Sequence, residues 1–235
     1  MYFFGAAVGI CFIVLVILLL IYVFPMRFMH PLASGRVEGT DIIAIKNRIN
    51  NLFFIPSDEG WTVIDAGSDA KLVKQEMEQL SIDGCRVKCV FLTHTDYDHV
   101  ASIPLFPNAT IYMSEQEQQM IDGSTNRQFF KKNTLPKLSD SNKIQYLQDN
   151  EVIEIHKHKV CIIKAPGHTK GAAMYLLDEK YLFTGDAFKI TGNDISVHPY
   201  TMDKKQAQET IYGIKDELKK YEKVFTAHYG FLKLN

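Results

Sequence analysis

The sequence predicts an α+β domain, two β-sheets packed face to face with helices outside, preceded by one membrane-spanning helix. Two patterns predict the domain. Short apolar runs bounded by turn residues come first, and strands and helices then alternate over short connections. The span follows from "YFFGAAVGICFIVLVILLLIYVF", residues 2–24, an uncharged run long enough to cross a bilayer core as a helix.

A cleaved signal peptide is the rival for that run. It would want a basic residue ahead of the apolar stretch, a shorter stretch and a small-residue cleavage site, and none is evident. Arg27 and Arg36 follow the span and nothing basic precedes it, so the positive-inside tendency puts the rest of the chain in the cytoplasm. The expected organisation is an anchor over 1–26, a linker over 27–37 with Pro31 and Gly35, and a single domain over 38–235. The protein is expected at the cell membrane, single-pass.

"DIIAIK" and "NLFFIP" read as a hairpin and "WTVIDAG" as a third strand, ending at Asp65. A helix begins near Asp69 with Leu72, Val73, Met77 and Leu80 on one face. "VKCVFL" and "ATIYMS" are buried strands, and "EQEQQMI" a short helix. "EVIEIH", "KVCIIKA", "AAMYLL" and "KYLFTG" are further strands. An amphipathic helix over 203–221 places Ala207, Ile211, Ile214, Leu218 and Tyr221 on one stripe, with Asp203 and Gln206 as a capping box. "KVFTAH" is the last strand.

The chain has 235 residues, 46% hydrophobic and 23% charged, with a formal net charge of −1. That is one sizeable core, and no basic face for bulk electrostatic binding to nucleic acid is implied. Cys85, Cys89 and Cys161 follow no repeating spacing and read as reduced thiols.

Four predicted strand exits carry residues able to bind metal. They are "THTDYDH" (His94, Asp96, Asp98, His99), "APGHT" (His168), "FTGD" (Asp186) and "FTAHYG" (His228). A single His after a strand is ordinarily a hydrogen-bonded residue of no special function. Four within six positions, joined by three more exits, point to one centre, because loops at strand ends converge while the sheets hold them rigid. Imidazoles and carboxylates together suit two divalent cations sharing a carboxylate.

These motifs resemble the metallo-β-lactamase-fold hydrolase superfamily, whose signature is H-x-H-x-D-H, a Gly-His, a Gly-Asp and a last His, in this order over nearly all of residues 40–230. The resemblance implies an αββα sandwich with a dinuclear site at one sheet edge. It implies that His94, Asp96 and His168 hold the first metal, that Asp98, His99 and His228 hold the second, and that Asp186 bridges both beside a water or hydroxide. Asp65 matches an aspartate that orients the ligand loop, and a turn-capping Asp is the alternative. Three positions depart from the pattern. Asp96 stands in place of His, Ala101 and Ser102 in place of two glycines, and Lys170 in place of Pro.

The chemistry implied is hydrolysis of an ester, lactone, thioester, amide or phosphoester of a small molecule. Hydroxide would be supplied by two divalent ions, zinc first, with Asp98 taking up its proton. No G-x-S-x-G nucleophile frame competes with this reading. Asp96 makes the metal core with its hydroxide neutral, where His would leave it one positive charge, and the added hard oxygen favours iron or manganese. The flavodiiron proteins carry a carboxylate there, so a di-iron redox protein is one alternative, and a non-enzymatic binding module another. Phe129 and Phe130, in a polar insertion over 123–140, belong to a lid or to a solvated loop. His198, Tyr200 and Tyr229 are candidates to reach substrate, while His30, His156 and His158 are expected at the surface.

Overall fold

The computed structural model describes residues 11–127 and 132–233. Its seven-stranded sheet takes the order β1 (Gly35–Arg36), β2 (Ile43–Asn47), β3 (Asn50–Ser57), β4 (Gly60–Ile64), β5 (Val87–Phe91), β6 (Thr110–Ser114), β7 (Lys143–Leu147). β1 to β4 pair antiparallel, and β4 to β7 pair parallel. The second sheet contains β8 (Val152–Ile155), β9 (His158–Lys164), β10 (Ala173–Leu177), β11 (Tyr181–Phe183), β14 (Lys223–Phe225) and β15 (Phe231–Lys233). Within it only β11 and β14 are parallel. A separate hairpin joins β12 (Lys189–Thr191) to β13 (Asp194–Ser196).

Strand periodicity sorts the core into layers, because alternate side chains face opposite sides of a sheet. Phe53 enters the cluster between the sheets, and its neighbour Phe54 enters the one on the outer face. The inter-sheet cluster is aromatic: the ring of Phe53 lies 5.2 Å from both Phe183 and Phe225, which stack on each other at 4.8 Å. Each such pair is worth about 0.5–1.5 kcal/mol beyond the area it buries. Helix α1 (Ala70–Gln79) covers the outside of the first sheet through Val73 and Met77. Helix α4 (Lys204–Ile214) covers the second through Ile211 and Ile214. Between them in the chain lie two short helices, α2 (Tyr97–Val100) and α3 (Gln118–Asp122). The architecture is αββα.

Asp69 caps α1 by accepting from the amides of Lys71 and Leu72. Asp203 caps α4 by accepting from the Gln206 amide, but the return arm of the expected box is missing, since the Gln206 Oε1 has no partner among the described residues. The helix expected to reach 221 ends at Ile214, and a separate 3-10 turn follows over Glu217–Lys220. Gly213 weakens the backbone near that break, while the tighter turn keeps both Leu218 and Tyr221 buried. β1, β7, both strands of the β12–β13 hairpin and β15 were not anticipated; all but β7 have three residues or fewer, too few to show a period, and β7 is an edge strand with only Leu147 fully buried.

Ahead of the domain, an apolar helix over Cys11–Phe28 has mean hydropathy 2.6, and none of its described residues is buried. Length and composition would let it cross a membrane, and a signal sequence meets the same criteria. The chain that follows is fastened to the domain. The His30 amide donates to the His228 carbonyl at 2.8 Å, the Leu32 amide to Asn51 Oδ1 at 2.7 Å, and Asn51 Nδ2 to the Leu32 carbonyl at 2.9 Å.

Candidate metal centre

Parallel pairing gathers the site. Strands running the same way share a C-terminal edge, so β4, β5 and β6 deliver Asp65, the His94–His99 loop and Glu117 to one end. β9 and β11 both pair antiparallel with β10 and so run alike, and β14 is parallel to β11. Their exits bring His168, Asp186 and His228 to the same end.

The seven residues expected from the sequence come together there. Among the described residues, four donor groupings lie close enough to hold a metal: His94–Asp96–His168, Asp98–His99–His228, His94–His99–Asp186 and His168–Asp186–His198. Asp96 Oδ2 is 3.4 Å from His94 Nε2 and 3.3 Å from His168 Nε2. Asp98 Oδ2 is 3.7 Å from His99 Nε2 and 3.5 Å from His228 Nε2. Between the two sets lies Asp186 Oδ2, 3.4 Å from His168 Nε2 and 3.2 Å from His228 Nε2. Ligands about 2.0–2.2 Å from a tetrahedral zinc stand roughly 3.3–3.6 Å from one another, so these separations suit a divalent ion. The buried His94 Nε2, His99 Nε2 and Asp186 Oδ1 have no hydrogen-bond partner among the described residues. Buried polar atoms are ordinarily paired, and these three fit atoms meant for a cation.

Buttressing residues fix the orientation of these groups. Asp65 Oδ2 meets His99 Nδ1 at 2.8 Å, and Asp65 also accepts from the amide and hydroxyl of Thr93. It does the work of an orienting aspartate, and its backbone is left-handed, at φ 58°. The Ile49 carbonyl accepts from His228 Nδ1 at 2.7 Å, and Asn50 Nδ2 donates to the Asp98 carbonyl. Buried Glu117 accepts from the Thr95 amide and hydroxyl with one oxygen and from Thr169 Oγ1 and the Gly171 amide with the other. It thereby ties the His94 loop to the His168 loop. The Gly-His and Gly-Asp motifs also have a steric cause. A Cβ on Gly167, at φ +137°, would meet the Ala207 backbone at 2.5 Å, and one on Gly185, at φ +52°, would meet Thr93 Oγ1 at 2.3 Å.

Electrostatics within this pocket are strong. Burial pushes the His99 imidazole down, but the charges of Asp65, Asp98 and Asp186 override it and raise its pKa well above the usual value. Burial holds the His168 imidazole down at about 4. The Asp186 carboxyl would rise through burial, yet His228, His198, His99 and His168 hold it well below the usual range.

Two residues close to the centre had not been placed there by the sequence. His198, named only as a residue that could reach substrate, is buried with Nε2 3.8 Å from Asp186 Oδ2, and neither ring nitrogen has a hydrogen-bond partner among the described residues. Arg127, in the 123–140 insertion, donates from Nε to Asp96 Oδ2 at 2.8 Å. A lone Arg in a polar insertion carries no signal that would have found it. Phe129 and Phe130 lie outside the described residues. Tyr229 is buried, its ring 5.8 Å from His198, and the Tyr200 ring is 5.7 Å from His198. His30 and His156 are exposed, whereas His158 is half-buried with Nδ1 on Asp178 at 2.6 Å.

The chain belongs to the metallo-beta-lactamase superfamily, whose family model matches residues 46–228. A probable metallo-hydrolase of Methanocaldococcus jannaschii is 28% identical over 163 residues, covering 68% of this chain and 66% of that one. A probable polyketide biosynthesis zinc-dependent hydrolase of Bacillus subtilis (strain 168) is 29% identical over 206 residues, covering 85% and 78%. A hydroxyacylglutathione hydrolase of Salmonella typhi is 27% identical over 142 residues, 58% of this chain and 46% of its own, so the match spans less than half of that relative. Among solved structures, a beta-lactamase from Chitinophaga pinensis matches with TM-score 0.64 at 22% identity, over 83% of this chain and 78% of that one. The first B3 metallo-beta-lactamase with an active-site glutamic acid matches with TM-score 0.66 at 17% identity, over 90% and 87%. At such identities the likeness is one of fold. The family implies divalent metals, usually zinc.

Proposed function

We propose that the protein is a membrane-anchored, dinuclear metal-dependent hydrolase that cleaves an ester, lactone, thioester or phosphoester of a small substrate. The observation that carries this reading is the pair of three-residue donor sets on either side of Asp186. His94, Asp96 and His168 would hold one ion and Asp98, His99 and His228 the other, with Asp186 shared between them. When bound, the two cations lower the pKa of a shared water toward neutrality and polarise the oxygen of the scissile group.

The chain's own groups handle orientation and protons. Asp98 is the most accessible of the three central carboxylates, with 30% of its side chain exposed against 13% for Asp96 and 5% for Asp186. Asp98 Oδ2 is thus the group best placed to take a proton from the attacking water and release it to solvent or to the leaving group. His198 is kept neutral by burial and presents ring nitrogens to the same space. It suits hydrogen bonding to substrate or to the leaving group. The net charge of −1 supports a small organic substrate over nucleic acid. The exposed apolar helix over Cys11–Phe28 supports the anchor.

Asp186→Ala and His99→Ala should each lower hydrolysis at least about a hundredfold, roughly 2.7 kcal/mol of barrier, and should lower metal content. The measurement is metal analysis of purified protein beside a screen of generic esters and phosphodiesters. Full activity with full metal content in either variant would remove the ligand assignment. The anchor is tested separately by membrane fractionation, and a soluble form starting near residue 34 would contradict it.

A further inference from the structure

We propose that Arg127 is a built-in competitor for the first metal. In the metal-free protein its guanidinium occupies two of the three ligand atoms of the His94–Asp96–His168 set, Asp96 Oδ2 and His168 Nε2, so the centre loads in order, the Asp98–His99–His228 set first. The proposal rests on the metal-centre reading above and adds to it a hierarchy between two sites that the motif alone leaves equivalent.

The two donor sets are satisfied very differently. Arg127 Nε donates to Asp96 Oδ2 at 2.8 Å, and Nη2 reaches both that oxygen and His168 Nε2. Nη1 donates to the Tyr200 carbonyl at 2.8 Å and the His168 carbonyl at 3.5 Å. Asn133 Nδ2 fills the other Asp96 oxygen at 3.0 Å. Only 17% of the Arg127 side chain and 13% of Asp96 are exposed, so the pair is little screened by water. On the other side, no Lys or Arg among the described residues pairs with Asp98, His99, His228 or Asp186, while each set keeps one imidazole nitrogen, His94 Nε2 or His99 Nε2, without a hydrogen-bond partner among the described residues.

The two states exclude each other at a defined atom. An unprotonated imidazole Nε2 has one lone pair, which either accepts from a guanidinium or binds a metal. A cation entering between His94, Asp96 and His168 must therefore move the guanidinium off His168 Nε2. The same pairing accounts for the departure at position 96. A buried carboxylate needs a counter-charge when no metal is present, a neutral imidazole does not, and Arg127 supplies it.

The test is a zinc titration of the full-length, metal-free protein, reading stoichiometry and stepwise dissociation constants by calorimetry. Wild type should take one equivalent tightly and a second at least about tenfold more weakly. Arg127→Ala should tighten the second step at least about tenfold and leave the first nearly unchanged. Arg127→Gln, neutral and of similar length, should do the same, and thermal melts of both variants confirm that they fold. In wild type, His228→Ala should abolish the tight step. Two equal steps in wild type, or unchanged constants in both folded Arg127 variants, would overturn the proposal and leave the metal centre standing. No zinc uptake by wild type would overturn the metal centre itself.

Discussion

Asp65 shows how a single side chain sets the chemistry of another. Its carboxylate accepts a hydrogen bond from His99 Nδ1, which leaves Nε2 facing the centre. Asp65→Asn should therefore lower zinc affinity by about 10–100-fold with little change in fold, measured by competition with a chelating dye. An unchanged affinity would reduce Asp65 to a turn residue. His99 also predicts a pH dependence. Its pKa in the metal-free protein is raised above the ordinary value of 6.5, so it retains a proton that the unfolded chain has begun to lose. The stability this contributes is fully present below the unfolded pKa and is lost as pH rises through the raised folded value. Metal-free protein should melt at progressively lower temperature across that window, and zinc binding within it should release protons, visible as a buffer-dependent calorimetric heat. Melting that stays level through the window would contradict the assignment. The ligand residues were legible because identity and spacing persist in one dimension. Arg127 was not, because its role depends on where the path of an insertion leads, and no local pattern encodes that.

Glu117 acts between elements, cross-linking the exit of β5 to the exit of β9. Replacement by Gln keeps one acceptor oxygen but turns an amide N–H₂ toward one pair of donors. If that group faces Thr169 and Gly171, the buried Gly171 amide is left without an acceptor. The expected cost is about 1–3 kcal/mol, read from denaturant melts of the metal-free protein. A variant as stable as wild type would show that the two loops hold themselves. Strands with alternating or continuous apolar residues were readable from sequence, as were the caps at Asp69 and Asp203, since both signals are local. The early end of α4, the edge strand β7 and the short strands β1, β12, β13 and β15 were not. Helical periodicity carries straight across a change to 3-10 geometry when buried residues such as Leu218 keep their side.

At the scale of the molecule, the αββα layering follows from which strands are buried on both faces, and that much was implied by apolar runs such as "VKCVFL". The parallel pairings that collect the seven residues at one end were not implied, because strand order is fixed by contacts far apart in the chain. Nor did the sequence reveal how the segment behind the apolar helix is attached. Pro31 and Gly35 suggested a short linker, yet the His30 amide is bonded to the carbonyl of His228, itself a candidate ligand. This decides where the protein can be cut. A shortened form beginning at Met29 removes the greasy helix and keeps all three bonds made by His30, Leu32 and Asn51. One beginning at Gly35 discards them, at about 0.5–1.5 kcal/mol each, and frees the loop that presents His228. The longer form should melt above the shorter and retain more zinc after dialysis, so for anyone preparing a soluble sample six residues separate a faithful metal centre from a frayed one.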